Sequence, residues 1–423
     1  MATLSGTAVS IELYGGILDI DGAGHFPGLE LINFVVCGTD GILPNPSFGK
    51  IHLKRETHDF ARRLVTEKLI TSEKDKVLLG SHSADAVTHL LKCLELNKNS
   101  INAKTWSRTH FFPYTRSLVH WDGRDRRNTE LERTYLRGGG ALAHSILRND
   151  QNQERLEKIR EGFKDIYPES QDTPLERVAS TLLSHGYKDP GPVQDLVEPR
   201  SLIFNDKLEE LYRFGVENIL SYRQLPPVQR IRALMDWTGI WLVIMQANRS
   251  AKHLEAANTF FIVDCAGAHP QLRRASQKNL KDHISDIEDA VRKIAETKGG
   301  ILGKHHFGKI RGFFASTAWT CGMLNSHKGK RHLTFRLQAI EALVMAAVGS
   351  GKEITFEAFT TDWLGYKCGF IVGREAAASA ELLNRFDASI FEENERQFAE
   401  QMKATGMLSV FSDATRMVSG DPR

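Results

Sequence analysis

Three small groups of residues have the types that catalysis uses. His52, Lys54 and Asp59 fall in the spacing HxKxxxxD. Cys265 and His269 stand close enough for a thiol–imidazole dyad, provided that they face one another and a base orients them. His305 and His306 are nitrogen donors for a metal, but neighbours on a helix point to different faces, so one site would not use both. A fourth stretch, Arg137-Gly138-Gly139-Gly140, precedes a helical run. Backbone amides entering a helix can cradle an anion. No Gly-Lys-Ser/Thr follows, however, and no GxGxxG lies after a strand, so a tight turn or close helix packing is the reading. The sequence predicts no catalytic set, no metal site and no cofactor.

The HxKxxxxD spacing resembles the signature of the phospholipase D and nuclease superfamily, in which the histidine attacks phosphorus. That resemblance implies a phosphodiesterase working in a dimer, because the family needs two copies and this chain has one. The glycine, serine and asparagine that follow in the family are replaced here by Phe60-Ala61-Arg62-Arg63, in a stretch read as a helix from about 56 to 70. The nuclease is therefore the alternative reading.

Charge is the stronger signal. Thr297 to Ile340 is a run of 44 residues with no Asp or Glu. It carries Lys298, Lys304, Lys309, Arg311, Lys328, Lys330, Arg331 and Arg336, with His305, His306, His327 and His332 among them. The whole chain is only +3, so the positive charge is concentrated. A field of one sign attracts a polyanion, and nucleic acid is the commonest. Met323 to Phe335 has apolar ends around a polar tip with Gly329 inside it, which predicts a β-hairpin. Short helices beside a basic hairpin make a winged-helix arrangement, in which the hairpin tip meets the phosphate backbone. The predicted nucleic-acid contacts are Lys304, Lys309, Arg311, His327, Lys328, Lys330, Arg331 and His332. A second acid-free stretch, Leu96 to Trp121, alternates Lys104, Arg108 and Arg116 with Trp106, Phe111, Phe112, Tyr114 and Trp121. It reads either as a stacking platform for bases or as plain core.

These residues need elements to hold them. A chain of 423 residues is too long for one ordinary core, and its 41% apolar and 25% charged content is that of a globular protein. The predicted fold class is α+β, mostly helical, in three parts: a small α/β domain over 1–125, a helical domain over 126–296, and a winged-helix-like domain over 297–423. Residues 8–37 read as β-structure. Ile231 to Ala247 is apolar nearly all round but too short to span a bilayer, which makes it the central helix of the middle domain, with Pro226 and Pro227 at its start. Phe260 to Val263 reads as an isolated strand, Gln271 to Ile294 as a long amphipathic helix and His306 to Trp319 as a further helix. Thr129 with Glu132, Thr173 with Glu176, Asp206 with Glu209 and Ser389 with Glu392 are capping-box pairs. Five scattered cysteines without a CxxC pair suit reduced thiols, and no secretory signal precedes Ile11, so a cytoplasmic protein without a membrane partner is expected.

RGFF at 311–314, GMLNSHKGKRH at 322–332, EALVMAAV at 341–348, ITFEAF at 354–359, IVGREAA at 371–377 and SDATRMV at 412–418 together resemble accessory proteins encoded beside bacterial DNA-modification and anti-phage defence genes. The resemblance implies work inside a complex with an ATPase, helicase, nuclease or methyltransferase, and carries no catalytic residue. The expected function is a non-catalytic DNA-binding subunit of such a complex. A scaffold that binds only protein, docking through Gln271 to Ile294, is a further alternative.

Overall fold

The computed structural model describes residues 2–18, 27–53, 112–120, 138–169, 196–256, 260–265, 269–411 and 415–421, with isolated positions at 86, 89–90, 93–94, 172–173, 176–177 and 267. Within these the protein is a mostly helical α+β fold with small sheets.

Ten helices carry the argument. They are α1 (Gly6–Tyr14), α2 (Pro27–Cys37), α3 (Gly140–Arg148), α4 (Gln153–Ile166), α5 (Lys207–Ser221), α6 (Pro227–Leu254), α7 (Pro270–Thr297), α8 (Lys304–Thr320), α9 (Leu337–Ala347) and α10 (Ala388–Ala404). Helix α6 is the axis of the molecule and touches α1, α2, α5, α7, α8 and α9. It has no polar face over Ala233 to Ala247 apart from a few buried polar groups, so it must be covered on all sides. Trp237 and Trp241 are fully buried, and each indole N–H finds a carbonyl: Trp237 donates to Tyr212 O at 3.3 Å and Trp241 to Leu208 O at 2.7 Å. The arginines that pair with acids lie toward its ends. Arg230 reaches Asp165 at 2.6 Å, and Arg249 meets Asp206 at 3.0 Å and Glu209 at 2.9 Å.

Helix α5 starts as its sequence demands. Asp206 accepts from Leu208 N at 3.1 Å and Glu209 N at 2.9 Å, while the Glu209 carboxylate turns back to Phe204 N and Asn205 N. At α10 the cap is Asp387, which accepts from Ser389 N at 2.9 Å, rather than the expected Ser389. Thr173 accepts from Glu176 N at 3.3 Å, and Thr129 and Glu132 lie outside the described residues, as does the helix expected at 56–70.

The reading of 8–37 as β-structure is corrected: α1 and α2 occupy it. All eleven residues of α2 are buried, so no polar face marks the helical period, and a short run apolar on every side cannot be told from a strand. One of the eleven is Glu30, fully buried, and the glycine run explains it. Gly138 N and Gly140 N each donate to Glu30 Oε2 at 2.9 Å, where α3 begins. A Cβ on Gly140 would lie 2.5 Å from both Leu31 N and Pro27 O, and Gly139 has φ +92°. The glycines therefore bring α3 against α2 and present its first amides to an internal carboxyl. Burial pushes that carboxyl up to about 8, against the pull of the amides.

The strands are short. β1 (Ala2–Thr3) pairs in parallel with β5 (Gly300–Ile301), and β2 (His52–Leu53) antiparallel with β3 (Leu196–Val197). β4 (Phe261–Ile262) pairs in parallel with β7 (Phe370–Ile371), so the Phe260 run is a strand with a partner 109 residues away. β6 (Ile354–Thr355), β9 (Arg416–Val418) and β8 (Leu408–Val410) form the one three-stranded sheet among the described residues. The main hydrophobic cluster runs from Val9 to Val418 and draws on all ten helices and on β4, β7, β8 and β9. No helix among the described residues is long and apolar enough to cross a membrane.

Candidate nucleic-acid interface

The hairpin leaves the end of α8 and returns at the start of α9. Leu324 and Leu333 form an antiparallel bridge, Thr334 N donates to Met323 O at 3.0 Å, and Arg336 N donates to Gly322 O at 2.9 Å. Met323, Leu324 and Leu333 are buried, which roots the hairpin in the core. Two further bonds fasten it to neighbouring elements: Leu333 N donates to Ser276 Oγ of α7 at 2.9 Å, and Asp264 N donates to Leu333 O at 2.9 Å. At the tip, Gly329 takes φ +87° and Ser326 Oγ donates to Lys328 O at 2.8 Å. The tip has no apolar side chain to bury, so it stands in solvent on a fixed base.

The predicted contacts divide. Lys328 and Lys330 are exposed and Arg331 half-buried, and no ion pair involves their side chains among the described residues. His327 is half-buried, its ring edge-on to Trp319 with centroids 6.1 Å apart. His332 turns inward: it is 8% exposed, and its Nε2 lies 3.7 Å from Asp264 Oδ2. Burial pushes this imidazole below its usual value, with Asp264 opposing, so it adds little positive charge outside. Lys304, Lys309 and Arg311 sit on α8. Arg311 pairs with Glu288 at 2.9 Å, and Lys298 pairs with Glu12, so acids from other helices offset part of the basic stretch. Lys304 is exposed at the opposite end of α8 from Trp319, about 22 Å away at 1.5 Å per residue. One acid-free sequence thus makes two surface patches.

Beside the hairpin lies a cavity of about 480 Å³. Arg232 and Asp236 come to it from α6, Thr317 and Trp319 from α8, Arg336 and Gln338 from the start of α9, and Phe112 from the second acid-free stretch. The Arg336 guanidinium lies 4.0 Å above the centre of the Trp319 ring. Asp236 is 9% exposed, and burial pushes its carboxyl up to about 8; Glu341 adds to this, while Arg232, Gln338 and Arg336 oppose it. Sequence reasoning missed Arg232, Asp236 and Gln338 as site residues. The available signal was an acid inside an otherwise apolar helix. The basic stretch and the aromatic stretch, far apart in sequence, meet here through Trp319 and Phe112. Of the remaining aromatic and basic residues of that stretch, Arg116 donates to Tyr167 O at 3.3 Å and Tyr114 is half-buried; Lys104, Trp106, Arg108, Phe111 and Trp121 lie outside the described residues.

No catalytic set assembles among the described residues. His52 is exposed on β2, while Lys54 and Asp59 lie outside the described residues. Cys265 is 3% exposed and burial pushes its thiol well above the usual range, the opposite of the lowered value of an activated thiol. His144, Ser145, Arg148 and Glu198 form a buried cluster, but Ser145 Oγ and His144 Nδ1 both address Glu198 Oε1, at 2.8 and 3.1 Å. The hydroxyl is bonded to the acid rather than to the imidazole, so the serine–histidine contact of a hydrolase triad is not made. No cluster of three metal-ligating side chains occurs among the described residues. No protein family, no curated protein and no solved structure matches this chain.

Proposed function

We propose that this protein is a non-catalytic DNA-binding subunit of a bacterial defence or DNA-processing complex, holding the phosphate backbone with the hairpin between α8 and α9. The observation that carries the reading is the exposed pair Lys328 and Lys330, unpaired among the described residues, on a hairpin fastened at its base to Ser276 and Asp264. A cation that already has an acid gains little from a phosphate, whereas a free one on a rigid base can take its place without reorganising. In the winged-helix reading α8 is the helix offered to the groove, because α9 is buried over Ala339 to Ala346. Lys304 then marks a second phosphate contact along the same duplex. The defence or DNA-processing setting, with an ATPase, nuclease or methyltransferase as partner, rests on the resemblance of 311–418 alone.

The test is fluorescence anisotropy with a labelled duplex across a range of salt. Binding that weakens steeply with salt in the wild type, and less steeply in K328A/K330A, supports the reading. Wild-type protein that shows no affinity for duplex or single strands at low salt removes it.

A further inference from the structure

The cavity beside the hairpin has groups that a phosphate backbone does not need. Trp319 and Phe112 supply aromatic surface. Asp236 supplies a carboxyl, and among the described residues no ion pair joins it to Arg232 or Arg336. Among the described residues, Thr317 Oγ1 is buried without a hydrogen-bond partner, and so is Arg336 Nε. Unsatisfied buried donors beside a nearly buried acid are costly unless a ligand completes the bonding. A bare polyanion would use the two arginines and give the acid, which burial keeps protonated at neutral pH, no role. A nucleobase with its phosphate uses all of them: the rings stack, the acid accepts N–H groups, and the guanidiniums take the phosphate.

The acid narrows the choice. Guanine places two adjacent N–H donors, on N1 and N2, along one edge, matching the two oxygens of the carboxylate that Asp236 becomes when these donors and the neighbouring arginines draw off its proton. Adenine and cytosine each set a donor beside an acceptor on that edge, and thymine offers one N–H between two carbonyls. We propose that the cavity binds a guanine base, with Asp236 accepting from N1 and N2, the Trp319 and Phe112 rings flanking the base, and Arg232 and Arg336 holding the phosphate. The base comes either from a strand held by the hairpin, in which case the inference rests on the DNA reading, or from a free mononucleotide, in which case it does not.

The experiment uses the full chain and two kinds of probe. The first is a labelled oligothymidine strand with one central guanine, compared with the same strand carrying adenine. The second is guanosine monophosphate against adenosine monophosphate, by calorimetry. Expected are a preference of about tenfold or more for guanine, in the range of a good bidentate base contact, and its loss in D236N. K328A/K330A should weaken both strands equally. Arg232 is exposed, so R232A serves as a second variant that keeps the fold; it should weaken guanosine monophosphate and leave guanosine unchanged. Equal binding of both strands with no mononucleotide binding overturns the cavity proposal and leaves the backbone reading standing. Guanine-selective mononucleotide binding, lost in D236N, supports the cavity; if neither strand nor duplex binds as well, the DNA reading falls. A guanine preference that survives D236N places the recognition elsewhere and overturns the proposal.

Discussion

Arg336 lies 4.0 Å above the ring of Trp319 and also donates a hydrogen bond to the Trp319 carbonyl oxygen. Trp319 is in the last turn of α8 and Arg336 caps α9, so this one side chain ties together the two ends of the hairpin. The same contact sets a flat surface at the side of the cavity. Lysine lacks the planar group that both stacks and donates. R336K should therefore loosen the hairpin and increase protease cleavage between Asn325 and His332, with little change in global stability. Unchanged cleavage rates would show that Ser276 and Asp264 hold the hairpin unaided.

Salt dependence reports the phosphate contacts directly. Each neutralised phosphate contributes about 0.9 to the slope of log affinity against log salt on duplex DNA. Alanine at Lys328, Lys330 and Arg331 together should lower that slope by roughly 2 to 3. Lys304→Ala should lower it by about 1 if the duplex reaches along α8, and leave it unaltered if only the hairpin touches. His332→Ala should leave the slope nearly unchanged, because that ring faces Asp264.

The Asp236 carboxyl gives a pH signature. Burial raises it to about 8 in the folded chain, from an ordinary value near 4 when unfolded. The folded state therefore keeps a proton that the unfolded state releases. The contribution to stability is complete below pH 4 and is lost as pH rises through 8. D236N removes the titration, so the difference in unfolding free energy between wild type and variant should change with pH by about one proton between pH 5 and 8. Glu30, pushed the same way, stays in both proteins and cancels in the difference. A difference flat across this window would place a cation on Asp236 in solution.

Some of this was legible from residues alone. Pro226-Pro227 before an apolar helix, the Asp206–Glu209 box, the Phe260 strand and the hairpin around Gly329 each follow from local rules, and each is present. The first forty residues were not legible, because α2 has no solvated face and its acid is buried. The glycine run was read as a turn or a packing site. Its partner Glu30 lies 108 residues away from Gly138, and no local pattern shows that. The hairpin's cations were visible as composition. That Arg311 is paired and His332 turned inward depends on Glu288 and Asp264, acids outside the acid-free stretch. The cavity was invisible for the same reason, since Asp236 gains meaning only when Trp319, Arg336 and Phe112 close around it.

Asn394 is a second long-range fastening. It is 4% exposed and donates from Nδ2 to Val263 O at 3.0 Å and to Val372 O at 2.8 Å, while its Oδ1 accepts from Cys265 N at 2.9 Å. It thereby holds the chain ends that follow β4 and β7 to α10. N394A leaves three buried backbone groups without partners and should cost about 2–4 kcal/mol in urea unfolding. N394D keeps the shape but sets a carboxylate against two carbonyl oxygens, so it should be destabilised at least as much at pH 7. Recovery of N394D toward pH 4, where the acid regains a proton, would identify that repulsion as the cause.

The last prediction concerns the division of the chain. A fragment from Thr297 to Arg423 contains α8, α9, α10, the hairpin and β6 to β9. Helix α9 buries Ala339, Ile340, Ala342, Leu343, Val344, Met345 and Ala346, and its neighbours include α5 and α6, which the fragment lacks. Helix α8 also packs on α6 and α7, and β4, the partner of β7, is missing as well. Separation exposes these apolar faces, at about 25 cal/mol for each Å² returned to water. A domain of this size holds only about 5–15 kcal/mol in reserve, so a few hundred Å² of such exposure weighs heavily. The fragment should aggregate, or show helical circular dichroism without a cooperative thermal transition, while the whole chain melts cooperatively. A fragment extended back to Asp206 restores α5, α6 and α7, though not the α1, α2 and α4 that also cover them, and should regain only part of the cooperativity. If the shorter fragment is monomeric, melts sharply and binds DNA with the affinity of the whole chain, the last third is an autonomous domain and α6 is only its neighbour.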